Sequence, residues 1–398
     1  MQLAYIAPEN VRAAIGALGR TEDVRFSPNN RRLALASFLR NQITVFEIGL
    51  ADSSREGKIS ITDATVISSA HLKQPHGLDF IDDATIIVAN RLGDVTIFEL
   101  PSGGGNHELA PLEIIRSGDV VDSPGNVSIT RGRDDLCEAL ICNNLSNKVT
   151  RHLLDLTDRC VVKKSEILLR KWLDVPDGVS VSGPWIAISS YNNHSVFLYD
   201  SSVPLSEDSE PDGILRCNNY PHGLRFTSDG RFILVADAGG PYVHIYTRDG
   251  SGWRGVRGPA KSIRILSDED FIRGRTNVDR GGPKGLDIDS SMSTLVTTCE
   301  IQPLAFFDLA KTLEWLSLIE ASGASGLEET LRASYERHCQ DQRSLEIRYE
   351  LDRQQAVELE RQQAVERERQ ALAAVTNTKS WRYTAPLRAI YGFLRRLA

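Results

Sequence analysis

Short apolar runs rich in Val, Ile, Leu, Phe and Tyr recur between residues 20 and 310, each closed by Gly, Asp, Asn or Pro. The stretch from Pro221 to Tyr246, PHGLRFTSDGRFILVADAGGPYVHIY, shows the unit most clearly. It reads as Pro-x-Gly, an apolar strand, a tight turn at Ser228-Asp229-Gly230, a second strand, a Gly-rich turn and a third strand. Close copies begin at Pro75, Pro176 and Pro283, and weaker ones at Thr21 and Pro124. Aligned on the apolar residue that closes the first strand, the copies are anchored at Phe26, Phe80, Ile129, Val181, Phe226 and Ile288, 45 to 62 residues apart. A repeat of about 40–50 residues holding several strands each predicts the blades of a propeller.

Six copies predict an all-β six-bladed β-propeller over 1–310, followed by an α-helical C-terminal extension. A fourth strand fits between copies at Thr65–Ser69, Leu112–Arg116, Glu166–Arg170, Gly213–Cys217 and Ser262–Leu266, but the last copy has none. The apolar segment Gln2–Ile6 is therefore expected to complete the last blade and leave no long open edge. The long connection Arg248–Gly282, rich in Gly and Arg, reads as a surface excursion.

Beyond Ala310 the pattern changes to a helix, a Ser-Gly turn and further helix. DRQQAVEL, ERQQAVER and ERQALAAV then repeat every 8 residues, without Gly or Pro. Eight is not a heptad, so 311–375 reads as a solvated helical stalk supported by Glu–Arg pairs, with coiled-coil self-association as the alternative. The segment 376–398 carries Lys379, Arg382, Arg388, Arg395 and Arg396 and no acid. Leu387, Ile390, Leu394 and Leu397 fall on one helical face there, after a cap at Thr384 and Pro386. Such a basic amphipathic helix suits an anionic membrane, a groove on a partner, or its own protein's surface.

Composition narrows the class. A formal net charge of −7 argues against a nucleic-acid partner for the chain as a whole. No run approaches the apolar length of a spanning helix, and the first residues lack the pattern of a signal peptide. The six cysteines form no Cys-x-x-Cys pair and read as buried, reduced thiols of a cytoplasmic protein.

Equivalent residues at the start of each first strand converge on a propeller's channel. Within the Pro-x-Gly positions these are Glu22, His76, Gly125, Asp177, His222 and Lys284. Five of the six are ionisable, which predicts a polar pocket at the channel mouth for a small polar ligand. Glu22, His76, Asp177 and His222 together offer ligands for one divalent metal ion. A neutral imidazole there is also a candidate general base, and a solvated polar mouth without chemistry is the remaining alternative. A second tier closes the second strands: Ser37, Asn90, Asn143, Ser190, Asp237 and Glu300. Its expected role is hydrogen bonding across blade turns.

The blade PHGLRFTSDGRFILVADAGGPYVHIY resembles those of the six-bladed superfamily that includes regucalcin-like gluconolactonases, strictosidine-synthase-like proteins and NHL-repeat proteins. In the lactonase branch a Glu entering the first blade and Asn or Asp at Pro-x-Gly positions bind metal. The resemblance puts Glu22 at the first of these, with His222 where Asn is expected and Lys284 where Asp is expected. It implies, as the enzyme alternative, a metal-dependent lactonase-like hydrolase or lyase acting at the channel. The segment SWRYTAPLR (Ser380–Arg388) resembles an element near the C-termini of bacterial glycosyltransferases of surface-polysaccharide assembly. That implies a non-catalytic binding or scaffold role beside a glycan-assembly protein. Trp381, Arg382, Pro386, Leu387 and Arg388 would be the docking residues, peripheral to the inner face of the membrane.

The isolated 376–398 peptide is expected to co-sediment with anionic vesicles, to release in salt, and to ignore neutral vesicles. Binding to neither excludes the membrane reading and leaves the partner groove.

Overall fold

The computed structural model describes residues 1–50 and 59–321, save 117, 119, 133, 134, 158, 159, 217 and 278, with scattered residues between 340 and 387. Six antiparallel sheets follow one another along the chain, each built from an inner strand to an outer one. The inner strands are Thr21–Phe26, Pro75–Asp82, Pro124–Arg131, Pro176–Ser182, Pro221–Phe226 and Pro283–Ile288, the six copies read from the sequence. Cores of Val, Ile, Leu and Phe pack between neighbouring blades. The fold is a six-bladed propeller.

The last blade is completed by the start of the chain. Gln2 pairs with Phe307 and Leu3 with Phe306, and Asp308 N donates to Met1 O over 2.9 Å. The closing strand is shorter than Gln2–Ile6. Tyr5 and Ile6 leave the last blade and pair in parallel with Ile59 and Ser60 of the first blade's outer strand. The N-terminal segment thus stitches blade 6 to blade 1.

Helix α1 (Glu9–Ala17), which the strand-centred reading passed over, packs under this stitch. Its Val11 and Ile15, one turn apart, and the following Leu18 are buried with Phe26, Phe46 and Phe306. Glu9 in the first turn suits the helix dipole.

Two more annex strands pair in parallel with outer strands. Gly105–Glu108 covers Thr65–Ser68 of blade 1, and Gly255–Arg257 covers Gly213–Leu215 of blade 4. The excursion after the fifth copy therefore contributes sheet as well as a short helix α2, Asp268–Gly274, capped by Ser267. Annexes of this kind satisfy edges that would otherwise stand open.

The chain divides into two compact units, Met1–Cys339 and Gln340–Ala398. Helix α3 (Ala310–Ala321) belongs to the first, with Leu313 and Leu316 buried and Lys261 Nζ 4.8 Å from the Trp315 ring. Most of the expected stalk and tail lies outside the described residues, as do Trp381, Arg382 and Arg388. Pro386 and Leu387 are helical and exposed. Cys137, Cys142, Cys160 and Cys299 are buried free thiols, while Cys217 and Cys339 lie outside the description. Among the described residues no helix is long and apolar enough to cross a membrane.

Deleting Met1–Ile6 removes both stitches and bares the Phe306–Phe307 edge. The thermal midpoint of the propeller is expected to fall by at least about 2 °C, read by circular dichroism. An unchanged midpoint would show that the ring does not depend on this closure.

Candidate functional site

Six inner strands meeting around one axis leave little room for backbone. The Gly of Pro-x-Gly answers this: a Cβ on Gly223 would lie 2.6 Å from Lys284 O, and one on Gly285 2.6 Å from Asp23 Cα. The residue before each Gly turns into the channel. Glu22, His76, Asp177, His222 and Lys284 all arrive there, and each is nearly inaccessible to solvent.

Glu22 is the hub. Its Oε1 accepts from Lys284 Nζ at 3.1 Å and from Arg20 Nε, and Lys284 also reaches Glu300 Oε1 at 3.4 Å. Its Oε2 makes no well-aligned hydrogen bond, although His222 Nε2 stands 3.4 Å away and His76 Nε2 3.7 Å away. Burial opposes ionisation of Glu22. Lys284, the two imidazoles and Arg20 outweigh it and hold the carboxyl well below its usual range.

The two histidines differ. His76 Nδ1 lies 2.8 Å from Gly125 O, so it carries the proton and leaves the Nε2 lone pair facing the channel. Burial, with Arg91 adding, pushes this imidazole down to about 3, so it is neutral at physiological pH. His222 Nε2 sits between Glu22 and Asp177, 3.2 Å from Asp177 Oδ2. The rings stack at 5.2 Å. Asp177 is held below its ordinary value: burial opposes this, and His222 and His76 prevail.

Above this floor opens a pocket of about 230 Å³. Arg91, Tyr191, Arg280 and Asp279 line it, and Tyr191 Oη donates to Asp279 O over 2.8 Å. Burial pushes the Tyr191 phenol upward, so it acts as a neutral donor.

Glu22, His76 and His222 bring three buried ligand atoms within 4.8 Å of one another. One carboxylate and two imidazoles match the donors of hydrolytic zinc sites. The inward Nε2 of His76 and the unpartnered Glu22 Oε2 fit a divalent ion. One feature opposes it: Arg91 Nη2 lies 2.6 Å from His76 Nε2, so a metal and this guanidinium contact exclude each other. Asp177, expected in the same set, contacts both histidines from the side but does not join the three-atom group.

The second tier holds turns together. Asn90 accepts from Lys73 N and donates to Asp94 O, and Asn143 accepts from Asp122 N. Asp237 accepts from the backbone of Asn219, Tyr220 and Gly239 and contacts His244. In blade 6 the ladder pairs Pro283 with Cys299, so Cys299 takes this position and Glu300 falls one step beyond, beside Lys284.

A deeper ring went unread. One step before each anchor residue the inner strands carry Arg25, Asp79, Ser128, Ser180, Arg225 and Asp287. Three of these accept from the next blade's backbone: Asp287 from Phe26 N, Asp79 from Ile129 N and Ser180 from Phe226 N. The arginines point the other way. Arg25 Nη1 donates to Leu286 O and to Asp23 Oδ1, and Arg225 Nη1 to Val179 O. The available signal was a polar residue at one fixed place in otherwise apolar strands: VRF, LDF, VSI, VSV, LRF and LDI.

The comparisons with known proteins are sparse. No family model matches the chain, and no curated protein matches it. Among solved structures, a functionally unknown protein from Desulfotomaculum acetoxidans DSM 771 aligns at 13% identity over 73% of this chain and 83% of its own, with a TM-score of 0.48. A luciferin-regenerating enzyme aligns at 11% identity over 74% of this chain and 94% of its own, with a TM-score of 0.49. At these identities neither speaks for residues in the channel.

Burial pushes Asp79 up to about 7, in spite of Arg25. The folded chain therefore keeps a proton that the unfolded chain gives up near pH 4, and stability from this group falls as pH rises from about 4 to 7. Its slope is at most about 1.4 kcal/mol per pH unit. Asp79→Asn is expected to lose less stability than the parent between pH 5 and pH 8 in urea titrations. Parallel losses would show that Asp79 does not titrate in this window.

Proposed function

We propose that the channel mouth is a divalent-metal site at the floor of a pocket for a small polar molecule. The observation that carries this reading is the convergence of Glu22 Oε2, His76 Nε2 and His222 Nε2 within 4.8 Å, all buried. Glu22 supplies the anionic ligand, while its other oxygen stays neutralised by Lys284 and Arg20. His76 is set as a ligand by its bond to Gly125 O, and Asp177 orients His222. A divalent ion held there would polarise a ligand oxygen and acidify a bound water, the chemistry of a hydrolase or lyase. Tyr191 and Arg280 line the pocket above, placed to receive the polar groups of a ligand. Lys284, standing where the lactonase resemblance expects an Asp, offers no anionic base. The site is therefore written as a metal-dependent binding site, with lactone hydrolysis not required by it.

A second reading follows from Arg91. With its guanidinium 2.6 Å from His76 Nε2, the protein supplies an internal cation and binds a polar ligand without metal. A scaffold role in surface-polysaccharide assembly is compatible with either reading and rests on the Ser380–Arg388 element alone.

Purified protein loaded with zinc or manganese and dialysed is expected to hold about one ion per chain by elemental analysis, with a raised thermal midpoint. His76→Ala combined with His222→Ala should abolish both effects. Stoichiometric metal in that double variant, or no uptake by the parent at excess metal, would overturn the metal reading. In the second case Arg91 stands as the resident cation.

A further inference from the structure

The turn that joins the second and third strands of each blade is four residues long in blades 1 to 5, and it lies on the mouth face beside the pocket. Turns of this kind favour small or polar residues. At the second position, blades 4 and 5 carry Asn192 and Gly239. Blades 1, 2 and 3 instead carry leucines at that same place: Leu39, Leu92 and Leu145, exposed to 66%, 65% and 70%. The connection into blade 4, on the same face, adds Trp172 at 49% exposure, with Asn193 Nδ2 donating to its carbonyl over 2.7 Å.

A lone exposed leucine needs no explanation, but the same turn position filled by leucine in three consecutive blades does. None of the three packs into the cores between blades, and the turns close equally well in blades 4 and 5 without them. The loops around these leucines are basic. Among the described residues of blades 1 to 3, Arg40, Lys73 and Arg116 are exposed there, against the exposed carboxylate of Asp122. This stands out in a chain of net charge −7.

We propose that the mouth face of blades 1 to 4 docks on an anionic lipid surface. Leu39, Leu92, Leu145 and Trp172 enter the boundary between headgroups and acyl chains. Arg40, Lys73 and Arg116 meet the phosphates. Aromatic and aliphatic side chains at loop tips suit that boundary, and cations near an anionic surface add to the attachment. The charge of the loops selects this occupant over an apolar protein groove, which has no use for three cations around its rim. In this orientation the channel mouth faces the bilayer, so the pocket takes its ligand from the membrane surface. The lipid contact itself does not depend on the metal.

The test uses the full chain and vesicles of phosphatidylcholine with or without phosphatidylglycerol. The parent is expected to sediment with the anionic vesicles only, and added salt should release it. The variant L39S/L92S/L145S/W172S should lose at least about tenfold in partitioning. Brominated lipid should quench the parent's tryptophan fluorescence more than that of Trp172→Phe. A thermal midpoint close to the parent's shows that the four-fold variant is folded; should it fail to fold, L92S/L145S takes its place. Equal partitioning of parent and folded variant, as when the C-terminal segment alone binds, would overturn the proposal. So would absence of binding to both vesicle types. A parent that fails to bind vesicles yet self-associates, with the leucine variant monomeric in sedimentation velocity, would assign the face to a second copy of the chain instead.

Discussion

Everything in this ring depends on how charge is compensated along its axis. Six strands point their side chains into one narrow space that water barely reaches, where an unpaired charge costs several kcal/mol. The protein places Arg25 and Arg225 there and surrounds them with Asp23, Asp79 and Asp287, each bound also to backbone amides. These contacts run from blade to blade, so the polar axis does what a hydrophobic core does elsewhere. It also fixes the angular position of each inner strand, and the mouth residues inherit that position.

At the mouth the same bookkeeping yields a site rather than a plug. Glu22 is drawn on by Lys284 and Arg20 through one oxygen, which leaves the other oxygen directed at two imidazoles. His76 gains its orientation from a carbonyl in the next blade, contributed at Gly125, the one mouth position without a side chain. A bulkier residue at that position would meet Asn144, so its missing side chain is a requirement of packing. The lysine at 284 separates this channel from the acidic set implied by the lactonase resemblance. It shifts the chemistry from a carboxylate cage toward a mixed site in which cations stand ready on every side.

The blades were legible because their grammar is local. Period-two apolar runs, Asp-Gly and Asn turns, and Pro-x-Gly each carry a backbone reason that survives without neighbours. The mouth residues followed from the repeat, since equivalent positions in a ring must converge. What escaped was long-range. Helix α1 is short, and its apolar face of Val11 and Ile15 gains meaning only from the blade 6 and blade 1 cores. The parallel partners of Tyr5–Ile6 and Gly255–Arg257 are set by the geometry of outer edges, which sequence spacing does not encode. The Arg91 contact with His76 is a side-chain encounter across 15 residues that no motif announces. The deep ring was written in the repeat but hidden inside apolar strands, where a single polar residue reads as an interruption.

The closure of blade 6 has a consequence for how the chain is made. Leu3 meets its partner Phe306 roughly 300 residues later in synthesis, and contacts of such separation form slowly. On a ribosome adding about 5–20 residues per second, the first segment waits at least some 15 seconds for that strand to exist. Throughout that interval the leading residues are an apolar strand without an edge to join, and the growing ring is an open arc. Blades 1 to 5 can assemble in order, each on the one before. The last event then brings the two ends of the arc together, and cooperativity enters only at that moment. A nascent chain of this fold therefore carries its greatest hazard at its oldest residues, and is a natural client for whatever shelters them until the circle shuts.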